Sequence, residues 1–396
     1  MKNKSESLDL KESNSKGRVP KLRFPEFRDA PVWEEKEVGE VFRVTRGEVL
    51  SMTLVKDNWT KETPYPVYSS QTKNNGLAGY YSDYLYENAI TWTTDGANAG
   101  DVNYRPGKFY CTNVCGVLIE TDGHANACIA AIINSTSKSH VSYVGNPKLM
   151  NGVMSKIRIP FPSIPEQQKI AACLCSLDEL ISAHAQKLAT LKAHKQGLMQ
   201  QLFPVEGETI PKLRFTEFQY APEWEEKSLG EVITLEYGSS LSEQNRKGGT
   251  IPVIGSNGVV GYHDQYMVEG PAIVIGRKGS AGQVNWIISD CYPIDTAFYV
   301  KNKSPDDFLL PFLRFILEKS NLVRLKDNGA VPGLNRNEVY SIKSSFPNPQ
   351  EQQKIADCLS SLNDLISAQT QKLNALKAHK KGLMQQLFPS ADEVTG

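Results

Sequence analysis

The sequence has no apolar run long enough to cross a bilayer. Its most apolar stretches, "CIAAII" and "FLLPFLRFIL", are too short or too interrupted for a transmembrane span. The opening "MKNKSESLDLKESNSKGR" lacks the apolar core of a signal peptide, so a cytoplasmic location without membrane attachment is expected. Residues 1–18 and 390–396 are expected to form polar tails, the first of them disordered, because neither carries apolar surface to offset the entropy of ordering. No disulfide framework is present: the seven cysteines are an odd number without framework spacing, which points to a reducing compartment. Charge of one sign is also missing, with 44 Lys plus Arg against 44 Asp plus Glu. A small autonomous DNA-binding domain is usually basic. The balance therefore argues against a lone nucleic-acid binder, an objection that weakens if other chains help to neutralise the phosphates.

Catalytic signatures are equally scarce. "GRKGSAG" (276–282) lacks the G-x-x-x-x-G-K-[ST] spacing, and a strand follows where a helix N-terminus would be needed for a phosphate. Cys111 and Cys115 resemble half a zinc site, but the aligned stretch of the second half, "CYPIDTA", lacks the pair. "DAPVWEEK" loosely resembles the Asp…Glu-x-Lys metal pattern of nucleases, through Asp29, Glu34 and Lys36. Its second copy, "YAPEWEEK", has Tyr220 in place of Asp29 while keeping the surroundings, so both read as packing segments anchored by Trp33 and Trp224. No Asn/Asp-Pro-Pro-aromatic motif, Walker pair or glycine-rich cofactor loop occurs. The expectation is a chain with no catalytic residue, no metal and no cofactor of its own.

What the chain does have is an internal repeat. "VPKLRFPEFRDAPVWEEKEVGEV" (19–41) recurs as "IPKLRFTEFQYAPEWEEKSLGEV" (210–232). "EQQKIAACLCSLDELISAHAQKLATLKAHKQGLMQQLFP" (166–204) recurs as "EQQKIADCLSSLNDLISAQTQKLNALKAHKKGLMQQLFP" (351–389), identical at about three positions in four. This divides the chain into an entry segment (19–41), a divergent domain (42–160), a long helix (161–204), a linker and second entry segment (205–232), a second divergent domain (233–346) and a second long helix (347–389).

The long helices are set by periodicity. Ile170, Leu174, Leu177, Ile181, His184, Leu188 and Leu191 alternate in steps of four and three, as do Ile355, Leu359, Leu362, Ile366, Gln369, Leu373 and Leu376. Such a stripe sustained over heptads is a coiled-coil seam. Two copies of equal period are natural partners, and antiparallel pairing predicts a pseudo-twofold rod. His184 and Gln369 hold aligned seam positions, where a polar side chain can fix register. Capping boxes are expected at Ser163-x-x-Glu166 and Asn348-x-x-Glu351. About 38 helical residues at 1.5 Å each make roughly 55–60 Å.

The divergent domains align in outline. "PVYSSQTKNNGLAGYY" parallels "PVIGSNGVVGYH", a strand, a polar turn and a return strand. "AITWTTDGANAGDVNY" parallels "AIVIGRKGSAGQVNW", an alternating strand, a polar loop and a return strand. Helical stretches follow near 124–135 and 305–326. The fold class is therefore α+β, with two homologous α+β domains on an antiparallel pair of long helices. The frames match while the loops differ, "TTDGAN" against "GRKGS", so the loops are the candidate readers of something that differs between the halves. Their Asn, Gln, Ser, Arg and Lys side chains present donor and acceptor sets that match base edges. The candidates are Ser70, Gln71, Lys73, Asn74, Asn75, Thr94, Asp95 and Asn98 in the first domain. In the second they are Ser256, Asn257, Arg277, Lys278, Ser280, Asn335 and Arg336, with Arg277 foremost.

The order of variable segment, helix ending in "KxGLMQQLF", second variable segment and second such helix resembles the specificity subunit of type I restriction–modification systems. "KLRFPEF…W", "PEQQKIA" and "AVPGLNRNEV" (330–339) look like phrases of that family, and the resemblance covers nearly the whole chain beyond the first tail. It implies two target-recognition domains, each reading half of a bipartite, usually asymmetric site on double-stranded DNA. The paired helices would act as spacer and as docking surface for two modification subunits, with restriction subunits joining. S-adenosylmethionine, ATP and Mg would be bound by those partners, which methylate adenine N6 or translocate and cleave in phage defence. The other readings are a non-enzymatic scaffold whose β-rich heads bind proteins or glycans, and a nuclease built on Asp29, Glu34 and Lys36.

Overall fold

The computed structural model describes residues 18–70, 74–327 and 332–389. It comprises two compact units, Met1–Ala185 with Lys372–Gly396, and Gln186–Gln371. The candidates Gln71 and Lys73 lie outside the described residues, as do residues 330–331 of the "AVPGLNRNEV" phrase and residues 1–17 and 390–396 of the tails.

The first unit runs β1 (Glu34–Glu37), α1 (Val38–Val41), β2 (Arg43–Arg46), β3 (Tyr65–Tyr68), β4 (Leu77–Tyr81), β5 (Tyr86–Thr93), β6 (Val102–Cys111), β7 (Cys115–Ile119), α2 (Ala127–Ser137), α3 (Asn151–Ser155), β8 (Arg158–Phe161) and the start of α4 (Ile164–Leu202). The second repeats that order. It runs β9 (Glu225–Ser228), α5 (Leu229–Val232), β10 (Ile233–Tyr237), β11 (Ile251–Gly255), β12 (Gly258–His263), β13 (Ala272–Gly276), β14 (Val284–Ile287), β15 (Tyr292–Pro293), β16 (Ala297–Asn302), α6 (Leu310–Lys319), α7 (Arg336–Ser341), β17 (Lys343–Phe346) and the start of α8 (Pro349–Leu387). Each long helix is 39 residues and begins in one unit and ends in the other. Among the described residues no helix is long and apolar enough to cross a membrane.

The first head is a six-stranded sheet, β2-β7-β5-β6-β3-β4. The second carries the same neighbours as a four-stranded sheet β10-β16-β13-β14 and a three-stranded sheet β12-β11-β15. The difference is local. The long β6 spans what β14 and β15 leave broken at 288–290, the stretch aligned to 106–108. Registers coincide residue for residue. Ala89 pairs with Arg105, Ile90 with Tyr104 and Thr91 with Asn103; in the second head Ala272 pairs with Ile287, Ile273 with Trp286 and Val274 with Asn285. Where volumes differ they compensate. Trp92 lies over Gly116, where an added Cβ would come within 2.1 Å of its ring, and the aligned pair is Ile275 and Phe298. One frame therefore holds two differently filled cores, as close packing demands.

Within each unit the start of one long helix meets the end of the other. Ile170 and Leu174 of α4 share a core with Leu387 and Phe388 at the end of α8, and Lys380 pairs with Asp178 at 2.5 Å. In the second unit Leu202 and Phe203 share a core with Ile355 and Leu359. The helices are therefore antiparallel. Ile170, Leu174, Ile355, Leu359, Gln369 and Leu373 are buried; Leu177, Ile181, His184, Leu188, Leu191, Leu362, Ile366 and Leu376 are half-buried. Burying each of the large apolar side chains contributes roughly 1.5–3 kcal/mol.

The entry segments clasp these helix junctions. Arg23 donates Nε and Nη2 to the Glu166 carboxylate, both at 2.7 Å, and also reaches the Ala30 and Pro31 carbonyls. Arg214 does the same to Glu351, Ala221 and Pro222. The Leu22 amide donates to the Gln386 carbonyl and the Leu213 amide to the Gln201 carbonyl, satisfying acceptors that the last helical turn leaves open. This corrects the expected capping boxes. Asn348 does accept the Glu351 amide at 2.9 Å, but the Glu166 and Glu351 carboxylates bind the entry-segment arginines. Reciprocal boxes occur instead on the short α1 and α5, through Glu37 with Glu40 and Ser228 with Glu231. Arg18, assigned from sequence to the tail, bridges to Trp33 and ion-pairs with Glu35 at 2.8 Å.

Candidate nucleic-acid interface

In each head the β-turn and the longer loop chosen from sequence meet at one end of the sheet. In the first head the turn after β3 holds Ser70, half-buried, and Asn74 and Asn75, both exposed with φ of 52°. Asparagine tolerates this left-handed conformation because its side chain can bond locally. The loop after β5 is anchored by Thr94, whose hydroxyl lies 2.9 Å from the Val114 carbonyl and 2.7 Å from Asp95. Asp95 is half-buried, 3.7 Å from Lys148. Asn98 is half-buried.

In the second head the Ser256 hydroxyl binds the Lys278 carbonyl and, at 2.8 Å, the Thr296 carbonyl, so the two loops are tied together. Asn257, Lys278 and Ser280 are exposed. Arg277 is half-buried, with its guanidinium 4.7 Å from the Tyr237 ring centre and 5.8 Å from Phe298, and Nη1 donates to the Asp295 carbonyl at 2.9 Å. Arg336, exposed at the start of α7, lies 5.3 Å from the same Tyr237 ring. Asn335 caps α7 by accepting the Asn337 amide at 3.0 Å. Arg277, Lys278, Asp327, Gly333, Leu334 and Asn335 line an open groove of about 430 Å³. Three cations and one aromatic ring thus converge on one rim, an arrangement suited to phosphate and base stacking.

A third segment joins each site, and sequence reasoning found it in the second head alone. The Leu334 amide donates to the Arg277 carbonyl and Gly279 to the Pro332 carbonyl; in the first head Leu149 donates to Thr94 and Gly96 to Pro147. The "NPKLMNGV" stretch is therefore the counterpart of "VPGLNRNEV". Its loop presents Tyr143 and Val144, 69% and 92% exposed, beside the Asp95 turn. The shared Pro-x-Leu spacing was the available signal. Sequence also passed over Arg105 on β6. This residue is buried against Tyr68, its guanidinium 3.7 Å from the ring centre, with Nε 3.0 Å from the Thr91 hydroxyl and Nη2 2.6 Å from the Asn75 carbonyl. Burial pulls its pKa below the usual guanidinium value.

Among the described residues no group of three His, Cys, Asp or Glu side chains could hold a metal ion. Cys111 and Cys115 are buried thiols; burial pushes Cys115 up to about 11 and Cys111 higher. Glu34 and Lys36 pair with each other at 3.0 Å on an exposed strand face.

The profile described as the type I restriction modification DNA specificity domain matches twice, over residues 32–193 and 222–378. The chain belongs to this specificity family. A protein of Methanocaldococcus jannaschii, the specificity subunit of a type I restriction enzyme, is 24% identical over 93% of this chain and 93% of its own length. A Mycoplasma pneumoniae protein described as the N-terminus of a type I specificity subunit is 39% identical over 35% of this chain and 74% of its own length. For further curated M. pneumoniae relatives the matched segment spans less than two thirds of their length, 43% and 49%. The fold is that of the crystallised S subunit of a type I restriction–modification system from M. genitalium, with a TM-score of 0.73 and 18% identity over 94% of this chain and all of that one. Specificity subunits are non-catalytic parts of type I complexes. The two profile matches each take in one head and most of one long helix.

Proposed function

We propose that this specificity-family chain reads a bipartite, asymmetric site on double-stranded DNA, one half with each head, and presents its paired helices to two modification subunits. The supporting observation is that the two heads share strand register residue for residue while differing in the side chains at the loop end. A common frame with unlike surface chemistry suits two unlike half-sites. The DNA-facing set would be Asn74, Asn75, Asn98 and Lys148 in the first head, and Asn257, Arg277, Lys278, Ser280 and Arg336 in the second. Thr94 and Ser256 would hold the loops that carry them. The neutral net charge fits a chain whose partners supply much of the phosphate contact, since phosphate contacts set affinity and base contacts set the target. S-adenosylmethionine, and the ATP and Mg of restriction, would be bound by modification and restriction subunits in the cytoplasm.

The test is an N6-methyladenine map of host DNA with and without the chain. The reading predicts a split motif that vanishes on deletion. Arg277→Ala is predicted to weaken or relax one half of that motif alone, since a bidentate arginine–guanine contact is worth about 1–3 kcal/mol of discrimination. A map unchanged by deletion would refute the reading.

A further inference from the structure

The first head contains a polar cleft of about 240 Å³ between the β3–β4 turn and the β5–β6 loop. Asn75, Thr91, Asn98, Asn103 and Arg105 are among the residues lining it, together with Asp101, whose carboxylate is paired with Lys138 at 2.8 Å. Arg105 is 8% exposed and has no carboxylate within ion-pairing distance among the described residues. Its bonds to Thr91 and Asn75, with the Tyr68 side chain against its guanidinium, use part of its five N–H donors. Asn98 and Asn103 are both half-buried.

A buried guanidinium without an anion is costly, and the fold does not require one. The second head is an internal control. At the positions of Tyr68, Thr91 and Arg105, in the same strand register, stand Ile254, Val274 and Ile287, which belong to an apolar cluster with Ala272 and Cys291. The same sheet is thus built without the charge, and the cost in the first head calls for a return from outside the chain.

Resting on the DNA-reading function above, we infer that the Arg105 cleft receives an acceptor oxygen of the bound duplex, and that the second head has no such contact. The oxygen belongs either to a backbone phosphate or to a guanine edge. Both present the acceptor that a guanidinium pairs with, and Asn98 and Asn103 add donors at the rim.

The test uses the full chain assembled with its modification subunits, a duplex bearing the wild-type motif, and two variants. One is the triple substitution Tyr68→Ile, Thr91→Val, Arg105→Ile, which installs the second head's residues; the other is Arg105→Gln. Both are expected to weaken binding about tenfold or more, and the half-motif of the second head is expected to persist. A phosphate contact lowers the slope of log affinity against log salt by about one and leaves the motif intact. A guanine contact relaxes one position of the first half-motif and leaves the slope intact. Should the triple variant fail to fold, Arg105→Gln carries the test alone. Affinity, slope and motif all as in wild type would overturn the inference while leaving the general function standing. A host methylation map that ignores deletion of the chain would overturn both.

Discussion

Removing the Glu166 carboxylate is predicted to be among the most destabilising single changes in the first unit. Glu166 is 1% exposed at its side chain and its partner Arg23 is 7% exposed, so the pair lies out of water. The same carboxylate accepts the Trp33 indole N–H at 3.0 Å. Glu166→Ala therefore leaves a buried cation and a buried donor unpaired at the junction where α4, the end of α8 and the entry segment meet. Breaking one side of a buried ion pair costs about 3–5 kcal/mol. In a unit of this size that corresponds to a fall in melting temperature of roughly 6–20 °C. The repeat supplies a graded comparison. Glu351 holds Arg214 with the same bidentate geometry, but the Trp224 indole N–H has no hydrogen-bond partner among the described residues. Glu351→Ala is thus expected to cost less, by about the 1.5–3 kcal/mol of a hydrogen bond to a charged group. Thermal and urea unfolding of both variants measures this, with Glu26→Ala as control because the Glu26–Lys169 pair is about half exposed. A Glu166→Ala melting temperature matching that of Glu26→Ala would refute the buried clasp.

Other consequences follow from packing and burial. Leu174→Ala and Leu359→Ala, at buried ends of the helix seam, are each expected to cost about 2–5 kcal/mol by denaturant unfolding, whereas Asp178→Ala, 58% exposed, should cost at most about 1 kcal/mol. Gly116→Ala should destabilise the first head because its Cβ would meet the Trp92 ring. Adding Trp92→Ile, the residue aligned at 275, should restore part of the loss, a coupling visible in a double-mutant cycle. In thiol labelling of the native chain at neutral pH, exposed Cys175 is expected to react, while buried Cys111, Cys115, Cys128 and Cys291 stay protected until unfolding. Burial raises Cys115 and Cys291 to about 11, so their thiols remain protonated and poorly nucleophilic below that pH; rapid modification of either at pH 7 would contradict their placement.

Much of the fold was legible because its signals are periodic. The leucine stripe of α4 and α8 repeats over several turns, and the strand–loop–strand outlines around 89–104 and 272–286 match each other, so helices, strands and their equivalence could be read without contacts. What escaped depended on where a side chain ends. Glu166 three residues after Ser163 has the spacing of a cap, and only the arrival of Arg23 from 143 positions away reveals its other use. Arg105 looks like an ordinary outward charge on an alternating strand; its burial follows from the turn of 74–76 folding over it. The loop bearing Tyr143 was overlooked because its partner, the Thr94 turn, lies far along the chain. Of the loop candidates, Thr94 and Ser256 prove to be internal anchors, whereas Arg277 and Arg336 share one tyrosine ring, a convergence that spacing alone does not disclose.

The central claim is that each head reads its own half of one DNA target. It is tested most directly by replacing residues 42–160 with the corresponding segment of another family member and mapping N6-methyladenine in the host. The account predicts that one half of the split motif changes while the half read by residues 233–346 is retained. A map in which both halves change together, or neither does, would contradict it.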